Sequence, residues 1–145
     1  MVTSGRGSPL SSEPYEKSNR LARPVLKVTV SDPLRRSKAG FLARVDTGFD
    51  GGLLMPLDSY VGLNLQDFEE PSAGFVARSA QGITVKLRSS RGFVGVQGED
   101  FGCRIYTTPI LLRPLLGMEL LNRWKVTLDG PREELTLAGQ GKGRD

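Results

Sequence analysis

Glycine and proline cut this chain into short segments: eighteen glycines and nine prolines are spread over its 145 residues. Such punctuation disfavours helical bundles and favours short strands joined by turns. Residues 25–30, Val-Leu-Lys-Val-Thr-Val, alternate as a strand; Ser31-Asp32-Pro33 opens a turn, and residues 40–45 return toward Asp46. Residues 53–55 make a short apolar strand, and residues 56–62 allow one helical turn ended by Gly62. Residues 74–78 and 83–87 flank Ser79-Ala80-Gln81-Gly82, the pattern of a hairpin with a glycine-bearing tip. Strands at 92–96 and 101–107 follow, then a short helix over 118–123. A last pair, 124–128 and 134–137, closes around Asp129-Gly130-Pro131. The expected class is all-β. A chain of this length buries one core, which places a single domain at residues 23–138. Residues 1–22, rich in Ser, Gly, Pro and charge and poor in apolar side chains, read as a disordered tail, and residues 139–145 as a flexible one.

Histidine is absent. Ser-His-Asp and Cys-His catalysis are thereby excluded within the chain, and a zinc site would need carboxylates and a single thiol, so no metal and no cofactor is expected. Acid–base work falls to carboxylates. A serine–lysine pair is formally open, but no lysine stands in a recognisable catalytic setting. The lone cysteine, Cys103, cannot staple the fold and in its alternating stretch reads as a small core residue. No apolar run approaches the length of a membrane span, and Met1-Val2-Thr3-Ser4-Gly5 lacks a signal-peptide apolar region; a cytoplasmic protein with no membrane partner is expected. Of the net charge of +4, residues 1–23 hold +2 and residues 139–145 hold +1, leaving +1 for the body. A basic groove is not indicated and no nucleic-acid partner is expected. Arg35, Arg36 and Lys38 cluster in a hairpin loop that reads as solvated, with phosphate contact as the alternative.

One stretch joins strand to chemistry: Ala43-Arg44-Val45-Asp46-Thr47-Gly48-Phe49-Asp50-Gly51-Gly52. An acid just after strand residues, followed by a small hydroxyl and a glycine, sits at a tight turn with its oxygens toward backbone N–H groups. Taken alone, Asp-Thr-Gly is equally an ordinary Asx-type turn. About seventy residues on, Leu115-Leu116-Gly117 runs straight into the 118–123 helix. The order and spacing of these two motifs, with a hairpin between them, resemble the retropepsin-like aspartic peptidases over roughly residues 24 to 138.

The resemblance implies a small closed or partly open β-barrel with one short C-terminal helix. It also implies a homodimer, because the chain has one Asp-Thr-Gly and the chemistry needs two carboxylates sharing a proton around one water. Asp46 would be the catalytic acid from each subunit. Thr47 would hydrogen-bond across the two-fold axis, and Gly48 would permit close backbone approach. Asp50 falls where retroviral relatives bind substrate backbone, and Ala80, Gln81 and Gly82 fall at the tip of the flap, the hairpin that closes over bound peptide. Two departures stand out: Phe49 occupies a position usually small, which would narrow a side-chain subsite, and Gly51 replaces a common second acid. Two other readings stay open: the same fold as a catalytically silent, dimerising peptide-binding module, or a small barrel meeting nucleic acid through its tail and the Arg35-Arg36 loop.

Overall fold

The computed structural model describes residues 11–18, 21–70, 76–78, 82 and 84–139. The strands are β1 (Ser11–Pro14), β2 (Glu16–Ser18), β3 (Leu21–Arg23), β4 (Val25–Ser31), β5 (Lys38–Val45), β6 (Leu53–Pro56), β7 (Val76–Arg78), β8 (Thr84–Lys86), β9 (Arg88–Val96), β10 (Glu99–Thr108), β11 (Leu115–Leu116), β12 (Trp124–Asp129) and β13 (Glu134–Gly139). Two short helices, α1 (Leu57–Gly62) and α2 (Met118–Leu121), and a 3-10 turn at Leu65–Phe68 are the helical elements among the described residues. The helical turn expected before Gly62 is therefore a second helix beside the C-terminal one.

Six strands close a barrel in the order β10-β6-β11-β5-β4-β9. Long hairpins build most of it: β4 with β5, and β9 with β10, are antiparallel neighbours in sequence. Closure comes from the two residues of β11, which pair parallel with β5 and antiparallel with β6, while β6 pairs parallel with β10. Leu26, Leu53, Ile105, Leu116 and Leu120 are fully covered inside this barrel and its helical end. Burying each contributes about 2 kcal/mol relative to leaving it in water. Cys103 lies in the same core, as its alternation suggests.

A second sheet, β1-β13-β12, packs Leu135, Leu137, Trp124 and Val126 onto that core, with the Trp124 ring edge-on to Phe101 at 5.2 Å. Here the structure departs from the compositional reading of residues 1–22. Ser11–Pro14 is a strand paired with Leu137 to Glu134, and Glu16–Ser18 pairs with Leu21–Arg23. Neither strand carries the apolar side chains that mark a buried segment; β1 is recruited through its backbone by the edge of β13, which composition cannot register. Residues 1–10 lie outside the described residues, as do 140–145.

The loop that carries Arg35 is a tight turn. Asp32, buried, accepts the Ser37 N–H at 2.7 Å and the Leu34 N–H at 3.2 Å. Burial alone would raise its carboxyl, but backbone hydrogen bonds from Ser37, Leu34, Arg36 and Asp32 itself outweigh it and hold the carboxyl below the ordinary range. Arg35 pairs with Asp100 at 2.7 Å and stacks over the Phe93 ring at 3.9 Å, so its charge is already committed.

Candidate active site

Alternation along β5 decides what Asp46 can face. Ala39, Phe41, Ala43 and Val45 turn toward the core, so Arg44 and, one step beyond the strand, Asp46 belong to the other face. The loop that follows is folded around Asp46 itself. Gly48 donates its N–H to Asp46 Oδ1 at 2.9 Å, and Phe49 donates to the Asp46 carbonyl at 3.2 Å. This is the Asx turn that the Asp-Thr-Gly triplet favours.

The same loop is stitched to the distant Leu115-Leu116-Gly117 segment. Asp46 donates its N–H to the Leu116 carbonyl and Gly117 donates to the Gly52 carbonyl, both at 2.9 Å. Met118 donates to the Phe49 carbonyl at 2.7 Å, and Glu119 to those of Asp50 and Gly51 at 3.2 Å. The first N–H groups of α2, which no helical carbonyl can satisfy, thus find their acceptors in the loop. Approach this close requires a glycine: a Cβ on Gly117 would stand 2.3 Å from the Gly51 oxygen and 2.6 Å from the Phe49 oxygen. Two motifs that look independent in the sequence are halves of one backbone junction.

Beside the loop, Arg44, Leu115, Leu54 and Tyr106 stand directly opposite one another across β5, β11, β6 and β10, and so share one face. Leu54, Leu87, Phe49 and Tyr106 form a small apolar cluster there, with Val85, Leu111 and Leu115 against it. Phe49 meets Tyr106 edge-on at 5.7 Å and is only 7% exposed. The residue expected to narrow a subsite is instead a buried wedge under the loop, and Gly51 leaves room for it, since a Cβ there would meet both rings within 2.7 Å.

Asp46, Thr47, Gly48 and Asp50 come together on this loop: Asp46 is half-buried, and the other three are exposed. Gly82 lies apart, exposed and with φ +85, between β7 and β8, which pair antiparallel as Val76↔Lys86 to Arg78↔Thr84. Ala80 and Gln81 lie outside the described residues. The root of this pair is flanked by ion pairs: Glu69 with Arg88 at 2.9 Å, and Glu70 with Arg104 at 2.8 Å and Arg91 at 3.6 Å.

Sequence reasoning passed over three charged residues. Glu16 accepts a hydrogen bond from Arg113 and pairs with Arg44 at 3.8 Å; Arg113 holds the Glu16 carboxyl below the ordinary glutamate range. Burial, reinforced by the neighbouring Arg113 and Arg23, makes the Arg44 guanidinium less basic than usual. The available signal was parity: Arg44 is two residues from Asp46 on a strand and shares its face.

Two solved structures share this architecture. A retropepsin-like aspartic protease from Rickettsia conorii superposes with a TM-score of 0.59 at 14% identity, over 95% of this chain and 98% of that one. EIAV protease complexed with the inhibitor HBY-793 gives a TM-score of 0.54 at 18% identity, over 74% of this chain and 92% of that one. No protein-family model and no curated protein matches the chain. The likeness is one of fold: this is an all-β closed barrel of the retropepsin-like acid-protease type.

Proposed function

We propose that the chain is a homodimeric aspartic endopeptidase of the cytoplasm, cleaving peptide bonds with a water held between Asp46 of one subunit and Asp46 of the other. The observation that carries this reading is the setting of Asp46. Its carboxylate ends a barrel strand, one oxygen is fixed by the Gly48 N–H, and its loop is fastened to Gly117. The fold around it is one that solved aspartic proteases share. One chain supplies one such carboxylate, so the chemistry requires a two-fold mate.

Two carboxylates about 3 Å apart cannot both ionise, and this divides their roles. The ionised one takes a proton from the water as its oxygen attacks the peptide carbonyl carbon. The protonated one supplies a proton toward the departing nitrogen as the C–N bond breaks, so the pair ends with the one proton it began with. Thr47, exposed beside Asp46, would bond across the axis, and Asp50 would hold substrate backbone. The β7–β8 pair, with Ala80, Gln81 and Gly82 between its strands, would cover the peptide.

The test is Asp46→Asn, assayed on a mixed peptide library together with its melting curve and sedimentation. A folded dimer that has lost about a thousandfold or more of its turnover is expected. Retained turnover by the folded variant, or an active monomer, overturns the assignment. A wild-type protein that binds peptides but cleaves none would leave the silent peptide-binding module.

A further inference from the structure

Three guanidinium groups gather beside the β5 face that carries Asp46, and among the described residues a single carboxylate answers them. Arg44 lies on that face, in register with Leu115; Arg113 lies two residues before Leu115. Glu16 spans the two, accepting the Arg113 Nη2 hydrogen bond on Oε2 while its Oε1 stands 3.8 Å from Arg44 Nε. Arg23 sits opposite Glu16 across the β2–β3 pair. The Arg44 contact is incomplete: its Nε and Glu16 Oε1 are both buried, and neither has a hydrogen-bond partner. A guanidinium so placed forgoes the two-pronged geometry that makes arginine–carboxylate recognition strong, and leaves desolvated groups unsatisfied.

The carboxylate comes from outside the barrel. Among the described residues, strands β2 and β3 pair with each other and with no other strand. Close by, Tyr15 donates its N–H to the Glu133 carbonyl at 2.9 Å, and Lys17 pairs with the Glu133 carboxylate at 3.5 Å through well-exposed side chains. Exposed pairs of this kind hold weakly. The β2–β3 pair, joined to the barrel by no strand ladder among the described residues, thus projects one acid into a cluster of surplus positive charge, next to the partly exposed Leu115.

We infer that Arg44 and Arg113 form a subsite for an acidic side chain of the peptide substrate, and that Glu16 occupies it in the free protein as an internal competitor. This rests on the peptidase reading and names the substrate class of the same site. A Glu or Asp of a bound peptide, free to choose its approach, takes both guanidiniums, and Glu16 with its arm is displaced.

The experiment uses the full-length Asp46→Asn protein, immobilised and exposed to a library of decapeptides with one central position fixed as Glu or as Gln. Glu peptides should be retained about tenfold better than Gln peptides, the worth of one charge-assisted hydrogen-bond pair. Glu16→Gln should raise retention of Glu peptides several-fold further by removing the competitor. Arg113→Gln, the second variant should the first fail to fold, should bring Glu peptides down to the Gln level. Equal retention of Glu and Gln peptides, or no gain in folded Glu16→Gln, overturns the inference and leaves Glu16 as a structural clamp. If peptides are retained without acidic preference, the subsite alone fails; if no peptide is retained by Asp46→Asn and none is cleaved by the native protein, the peptidase reading fails with it.

Discussion

The loop that carries Asp46 and the segments that border it differ in how far side-chain charge takes part in their attachment. Residues 46–52 are joined to Leu116, Gly117, Met118 and Glu119 by backbone hydrogen bonds of 2.7 to 3.2 Å, through a contact that excludes even a Cβ. At the N-terminal arm and the root of the β7–β8 pair, side-chain ion pairs add to the backbone bonds: Glu16 to Arg113 and Arg44, Glu69 to Arg88, and Glu70 to Arg104 and Arg91. Backbone junctions are insensitive to salt and tolerate no slack, whereas ion pairs near the surface are screened and adjustable. A catalytic carboxylate has to be held within a fraction of an ångström, while a polypeptide substrate needs its coverings to yield. The distribution of the two kinds of attachment follows that division.

The largest effect that would break this contrast comes from one methyl group. Gly117→Ala places a Cβ against two carbonyl oxygens and the Phe49 ring, so the loop or α2 must shift. We expect about 3 kcal/mol of destabilisation, the upper range for overpacking, and loss of activity disproportionate to it. Gly62→Ala is the control, since nothing lies within 4 Å of its Cβ, and should be neutral or slightly stabilising. Denaturant melts of the two variants decide the matter. Equal midpoints would mean the junction is not what fixes Asp46.

A smaller effect sharpens the other half of the contrast. The Glu16 carboxyl is lowered chiefly by its hydrogen bond from Arg113, and the Glu70 carboxyl by that from Arg104, both from an ordinary value of 4.5. A folded-state value below the unfolded one means that the attachment is fully present above about pH 4.5 and is lost as pH falls through the lowered value. Amide exchange in residues 16–18 and 21–23 should therefore be unchanged from pH 7 to 5. It should accelerate several-fold, after correction for intrinsic rates, below pH 4 or in about 1 M salt. The Asp46 and Gly117 amides should keep their protection in that salt. Arm amides as protected in salt as those of the loop would erase the distinction.

How much of this could be read from the sequence follows the same line. The hairpins β4–β5 and β12–β13, and the separate strands of β9 and β10, were legible because period-two alternation and turn chemistry are local. The Asx turn at Asp46 was legible because Asp, Thr and Gly at that spacing favour it intrinsically. Parallel pairing of β11 with β5 joins residues seventy apart and leaves no local trace; with it went the reason for Gly117, the burial of Phe49 under Tyr106, and the row that gives Arg44 its neighbours. The arm was misread because its strands are stabilised by what they pair with and not by what they bury. The expected tip residues Ala80 and Gln81 fall outside the described residues.

The smallest expected effect is a rate at one thiol that reports on both regions at once. Cys103 is buried under the loop, its sulfur 3.2 Å from where a Cβ on Gly52 would sit. Burial, and secondarily the nearby Glu119, pushes its thiol up to about 12. Thiolate is the reacting species, so at pH 8 the folded protein offers a disulfide reagent almost none, and labelling must wait for the core to open. If the loop lid is backbone-held and the arm is not, then releasing the arm with about 1 M salt should leave the Cys103 labelling rate within about twofold. Loosening the junction through Gly117→Ala should raise it in proportion to the lost stability, by about a hundredfold for about 3 kcal/mol. A rate that climbs with salt in the native protein would mean that the ion-paired arm, and not the glycine junction, seals the core beneath Asp46.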